Sequence, residues 1–214
     1  MYLPAHLEEC RHEVMHNLIR AHPLAALVTL SPKGLEANHI PMHLSDQVVP
    51  YGVLRGHVAR ANPVWHDFKP DVEALAIFQG PDAYISPAWY AAKKETGKVV
   101  PTWNYITVHA YGTLQIHDDP IWLRSELEHL VNDHESNFEE PWQISDAPEE
   151  YIQKMMEAIV GIEIVITRLI GKWKISQNQS ASDQQQVGIG LKHVGSSKSN
   201  AMADLIPQIE LFPG

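Results

Sequence analysis

The chain has almost no cysteine. Cys10 stands alone among 214 residues, which excludes an internal disulfide framework and any cysteine-rich zinc site. It lacks a long apolar run too: no stretch approaches the roughly 20 residues of a membrane span. MYLPAHLEECR has no apolar run behind a basic start, so no signal peptide is read. Together these absences lead us to expect a cytoplasmic protein with no membrane partner. Positive charge is in deficit, with Lys+Arg 16 against Asp+Glu 26 and a net charge of −10, whereas nucleic-acid binders carry clustered basic surface. There is no GxxxxGK[ST], no helix-turn-helix pattern and no internal repeat. Gly188-x-Gly190 has no third glycine and follows no strand, so it is not a dinucleotide fingerprint.

What remains is an ordinary globular composition, 44% hydrophobic and 20% charged. The charge is unevenly spread. Thirteen acids lie between Asp118 and Glu163 against only Arg124 and Lys154, while between Gly171 and Asn200 Lys172, Lys174, Lys192 and Lys198 face Asp183 alone. Both stretches read as solvated surface.

Hydrophobic spacing predicts a helix over 6–21, with Leu7, Cys10, Val14, Leu18 and Ala21 as its stripe. Strands follow at 24–30, 35–44, 51–57 and 72–78, the first two joined by the turn Ser31-Pro32-Lys33-Gly34. Asn62-Pro63 and Ser86-Pro87 each open a short helix with a cap and a proline. Residues 99–117 alternate as one long strand, with Thr102, Asn104, Ile106, Val108, Ala110, Leu114 and Ile116 on one face. Helices over 120–138 and 147–159 precede a last strand at 161–170, and two short helices are expected at 183–193 and 199–206. Six or seven strands with helices at their ends indicate a mainly β fold, a small barrel with peripheral helices. The domain is expected over 1–178, with a polar linker and short helical tail over 179–214.

His12-Glu13-Val14-Met15-His16 matches the HExxH signature of zinc peptidases. A step of about 100° per residue sets both histidines opposite the apolar stripe, toward water rather than into a cleft, so the motif reads as coincidence and no metal is expected. His39 and His43, at i and i+4 on one strand face, read likewise as a half-exposed barrel strand.

Three segments carry more than packing requires. In Asn38-His39-Ile40-Pro41, the proline removes a ladder donor and marks an edge strand, whose free backbone groups suit a planar heterocycle or protect the edge from aggregation. Arg60 and Asn62 precede a capped helix start, where phosphate can bind. Thr102, Trp103 and Asn104 set a hydroxyl, an indole and an amide at the start of the long strand, just after Lys98.

HPLAALVT, GLEANHIPMHL, GHVARANPVW, ALAIFQGPDAYISPAWY, GKVVPTWNY, AIVGIEI and GKWKISQN make residues 1–178 resemble the PaiB-like family of FMN-binding negative transcriptional regulators, within the pyridoxamine-phosphate-oxidase-like split barrels. The resemblance implies a split-barrel homodimer with FMN at the subunit interface. Asn38, His39, Ile40 and Pro41 would line the ring and Arg60 and Asn62 the phosphate, with Thr102, Trp103 and Asn104 coming from the partner chain and Lys174 and Gln177 closing the pocket. It also implies repression, with DNA or a regulatory protein as partner. An FMN-dependent oxidoreductase is the alternative, for which His39, His57 and His109 are the only nearby acid–base candidates and read better as structural histidines.

Overall fold

The computed structural model describes residues 1–45 and 50–206. After a 3-10 turn at Ala5–Leu7 come β1 (Glu8–Glu9), α1 (His12–Ala21), β2 (Leu24–Ser31), β3 (Gly34–Pro41), β4 (His43–Ser45) and β5 (Val53–Ala59). Then follow β6 (Ala74–Ile85), α2 (Ala92–Thr96), β7 (Thr102–His117), α3 (Pro120–Glu135), α4 (Glu149–Glu157), β8 (Ile159–Lys174), α5 (Ala181–Val194) and α6 (Ser197–Leu205). The described strands make one sheet in the order β3-β2-β6-β7-β8-β5-β4, with β1 pairing β8. The fold is mainly β, as expected.

The chain divides into two compact units. A barrel unit comprises His12–Phe78 and His109–Leu169; a terminal unit comprises Met1–Arg11, Gln79–Val108 and the chain from Ile170. In the barrel unit, β3 and β4 are the two ends of the sheet path, yet only Met42 separates them. Pro41 has no N–H to extend a ladder, and the Met42 N–H turns back to the Pro23 carbonyl at 2.9 Å. The expected second strand therefore breaks in two. Its chain runs from one end of the sheet to the other, and among the described residues the barrel stays split rather than hydrogen-bonded shut.

Close backbone approach sets the barrel's tightest point. A Cβ on Gly112 of β7 would sit 2.1 Å from the Val165 carbonyl oxygen of β8. Gly112→Ala is expected to cost about 3 kcal/mol or more, because backbone rather than a flexible side chain must yield. Urea unfolding checks this, and an unchanged midpoint would show that the strands separate freely.

Local chemistry explains several boundaries. The Asn62 and Ser86 side chains accept from Val64 and Ala88 N–H, each with proline next in sequence, as read from the sequence. Asp119 caps α3 in the same way. Helix α1 differs from its expected form. Residues before 10 leave the helix to pair β1 with Lys172 and Gly171 of β8, so α1 starts at His12 and buries Met15, His16, Leu18 and Ile19. Cys10 is exposed. His16, expected in solvent, is buried because its Nε2 meets the Tyr51 carbonyl at 3.0 Å, while His12 is exposed.

In the terminal unit, α5 and α6 bury Val187, Leu191, Met202 and Ala203 with Ala83, Ile85 and Tyr90. Gly190 lets the Trp89 ring lie on α5: a Cβ there would come within 2.4 Å of it. Residues 181–205 thus supply a core as well as a polar surface.

Candidate functional site

The sequence-predicted site residues fall into two groups, one in each unit. In the barrel unit, β3 is an edge strand with Asn38 half-buried, Ile40 buried, and His39 and Pro41 exposed. Asn62 joins this group: its amide donates to Asn38 Oδ1 at 2.9 Å, while its own oxygen caps Val64. Arg60 is held elsewhere. Its guanidinium makes a bidentate pair with Asp118 at 2.9 and 2.6 Å and also donates to the Glu157 and Ile159 carbonyls. That pairing keeps the Asp118 carboxyl below its ordinary range. Arg60 ties the end of β5 to the α4–β8 junction, beside a hollow of about 340 Å³ lined by Asp118, Leu123 and Met156.

Among the histidines, His57 and His109 have a buried Nδ1 without a partner among the described residues, and burial lowers both pKa values, so both rings are neutral at pH 7. His43 is turned to Asp133 and stacks on His129.

In the terminal unit, a cavity of about 300 Å³ is lined by Tyr90, Lys98, Thr102, Asn104, Lys174 and Ser176, among others. The Lys174 ammonium donates to Thr102 Oγ1. Asn104, 1% exposed, donates from its amide to Ser176 Oγ at 2.9 Å. Trp103, on the opposite face of β7, is 54% exposed and meets Tyr84 edge-on at 6.1 Å between centroids. Gln177 braces the turn: its Oε1 accepts from Ile175 N–H, and its amide donates to the His6 and Trp173 carbonyls. The sequence reading missed Ser176, Tyr90 and Asp183 here. Ser176 adopts a left-handed backbone, φ 65°, which no local motif announces.

The family model described as "Putative FMN-binding domain" matches residues 1–168. The chain belongs to that family. An uncharacterised protein of Emericella nidulans is 34% identical over 241 residues, with 96% of each chain covered. The Bacillus subtilis protein named Protease synthase and sporulation protein PAI 2 is 28% identical over 206 residues, again with 96% of each covered. The solved structure of the flavocytochrome Anf3 from Azotobacter vinelandii matches at TM-score 0.57 and 13% identity, over 80% of this chain and 72% of that one. At that identity the likeness concerns the fold, a split barrel. The fungal relative shows that similar chains are not confined to bacteria.

FMN is the cofactor of this PaiB-like chain. The residues suit it. An exposed indole with an aromatic neighbour offers a surface for an apolar ring, and an open strand edge offers backbone groups for a polar ring rim. No described helix is long and apolar enough to cross a membrane.

Proposed function

We propose that the chain works as a homodimeric FMN protein whose subunits meet through the outer face of the β2–β3 hairpin. One observation carries this reading: the hairpin is amphipathic the wrong way round for a free surface. Register sets Leu24, Ala26, Val28 and Leu30 opposite Pro41, His39, Ala37 and Leu35 on one face. All but His39 are apolar, and Leu24 and Leu35 are 59% and 78% exposed. The other face holds Ser31, Thr29, Glu36 and Asn38 alongside Ala25, Leu27 and Ile40. Glu36 there accepts from Ser31 Oγ at 3.0 Å. A one-sided antiparallel sheet turns its polar row to water; here the outer row is the more apolar one and needs cover. Leu75 and Ile77 of β6, opposite Val28 and Ala26, extend the same face. A two-fold contact covers it with itself.

Asn38–Pro41 on this hairpin and Asn62 beside it would hold the flavin, with Thr102, Trp103 and Asn104 contributed by the partner chain and Lys174 and Gln177 closing the pocket. Bound FMN supplies reversible one- or two-electron chemistry. The regulatory role follows the name of the Bacillus relative, and we read it as negative regulation exerted through flavin state and a partner protein. Direct DNA binding has little support: Lys192 is paired with Asp204 and Lys198 with Asp82. A cytoplasmic setting accords with the free, exposed Cys10 thiol. Purified protein incubated with FMN and desalted should retain about one flavin per chain and run in light scattering at twice the mass of one chain. Flavin-free protein, or a monomer carrying FMN, would defeat the corresponding half of the proposal.

A further inference from the structure

We propose that the cavity of the terminal unit is an anion site, built for a phosphate group around Lys174. Lysines on the surface usually find a carboxylate or bulk water. Lys174 is half-buried in a hollow, and among the described residues no carboxylate lies within ion-pair distance of it; its one hydrogen-bond partner is the neutral Thr102 hydroxyl. A second cation, Lys98, lines the same cavity. The one acid there, Asp183, is already committed: its carboxylate accepts from the Ala92 N–H and from Ser180 Oγ. Two cations against one internally satisfied acid leave the hollow short of negative charge.

The remaining wall is polar and preset. Asn104 is fixed on Ser176, and Ser176 is held in a left-handed backbone costing about 1 kcal/mol. Burial pushes the Tyr90 phenol up, so its hydroxyl stays protonated and able to donate at neutral pH. Point-charge ammoniums with hydroxyl and amide donors suit a tetrahedral dianion better than a planar carboxylate. About 300 Å³ lies at the small end of ligand pockets, enough for a phosphate and its nearest atoms but not for a whole flavin nucleotide.

Such a phosphate has two sources: the terminal group of FMN, which rests on the reading above, or a separate small phosphate-bearing molecule. Calorimetric titration of wild-type and Lys174→Ala protein with FMN, riboflavin and inorganic phosphate separates them. If the group is FMN's own, Lys174→Ala weakens FMN by about tenfold or more and leaves riboflavin unchanged. If it is a second molecule, FMN affinity holds in Lys174→Ala, and the flavin-loaded variant binds inorganic phosphate about tenfold more weakly than flavin-loaded wild type. Lys174→Arg should restore most of either response. Thr102→Val, which keeps the ammonium and removes its anchor, serves if Lys174→Ala does not fold, and should lower the same response about threefold. Wild type that binds neither flavin but takes up phosphate in a Lys174-dependent way would keep the anion site and remove the flavin reading. Equal binding of all three probes by wild type, Lys174→Ala and Thr102→Val overturns the proposal.

Discussion

Glu126→Gln is expected to leave stability at pH 5 within about 1 kcal/mol of wild type and to raise it by about 2–3 kcal/mol at pH 9. Glu126 lies on α3 and is 3% exposed, and both its carboxylate oxygens lack a partner among the described residues. Burial is the main force on it and pushes its pKa from 4.5 to about 7, with Asp133 and Glu163 adding repulsion and Arg55 opposing them. Arg55 cannot fully compensate, because its Nε already donates to Glu163 at 2.7 Å. The folded chain therefore holds this proton more tightly than the unfolded chain does. Its contribution to stability is complete below pH 4.5 and disappears as pH rises through about 7. The gap between 4.5 and about 7 is worth about 3 kcal/mol, and glutamine, neutral at every pH, removes it. Urea unfolding at pH 5, 7 and 9 gives the comparison. Parallel pH profiles for the two proteins would mean that water or a counter-charge reaches Glu126.

What could be read from the sequence was short in range. The Ser31–Gly34 turn sits where the pairing of Ser31 with Gly34 closes the hairpin, and Gly34 takes the positive φ of 119° that favours glycine. Along β7 the face read as inward is buried at every even position from Asn104 to Leu114, because the period of two needs no knowledge of the neighbours; Thr107, on the other face, is buried as well. Readings that depended on distant partners went astray. Helical spacing put His16 in solvent, but the Tyr51 carbonyl, 35 positions on, takes it inside. For Arg60, read as a phosphate neighbour before a helix start, nothing in the sequence signals the pair it makes with Asp118, 58 positions away. The candidate site shows the same division. Thr102 and Asn104 were visible as polar groups on the core-directed face of a strand. That no carboxylate among the described residues lies within ion-pair distance of Lys174 emerges only once the chain is folded.

The largest effect on assembly is expected from Ala37→Glu. Ala37 is exposed in the middle of the β3 outer row and faces Val28 across the hairpin. In an isolated subunit the new carboxylate points to water, so subunit stability should change by no more than about 0.5 kcal/mol. In a two-fold dimer closed on this face, two carboxylates enter an apolar seam near the axis, with His39 the one ionisable neighbour in the row. Unpaired buried charge of this kind costs several kcal/mol, which weakens the dimer on the order of a hundredfold or more. Light scattering should then find monomers at micromolar concentration where wild type is dimeric, with the circular dichroism spectrum unchanged. FMN retention by those monomers distinguishes two arrangements of the cofactor. If flavin is lost together with the dimer, the cofactor needs both chains, as expected where one subunit supplies the hairpin and the other the Thr102–Asn104 strand. If monomers keep FMN at full affinity, each chain holds its own flavin and the apolar face serves assembly alone. A dimer that survives Ala37→Glu must be joined through some other surface, and the inverted hairpin would then need a different partner to cover it.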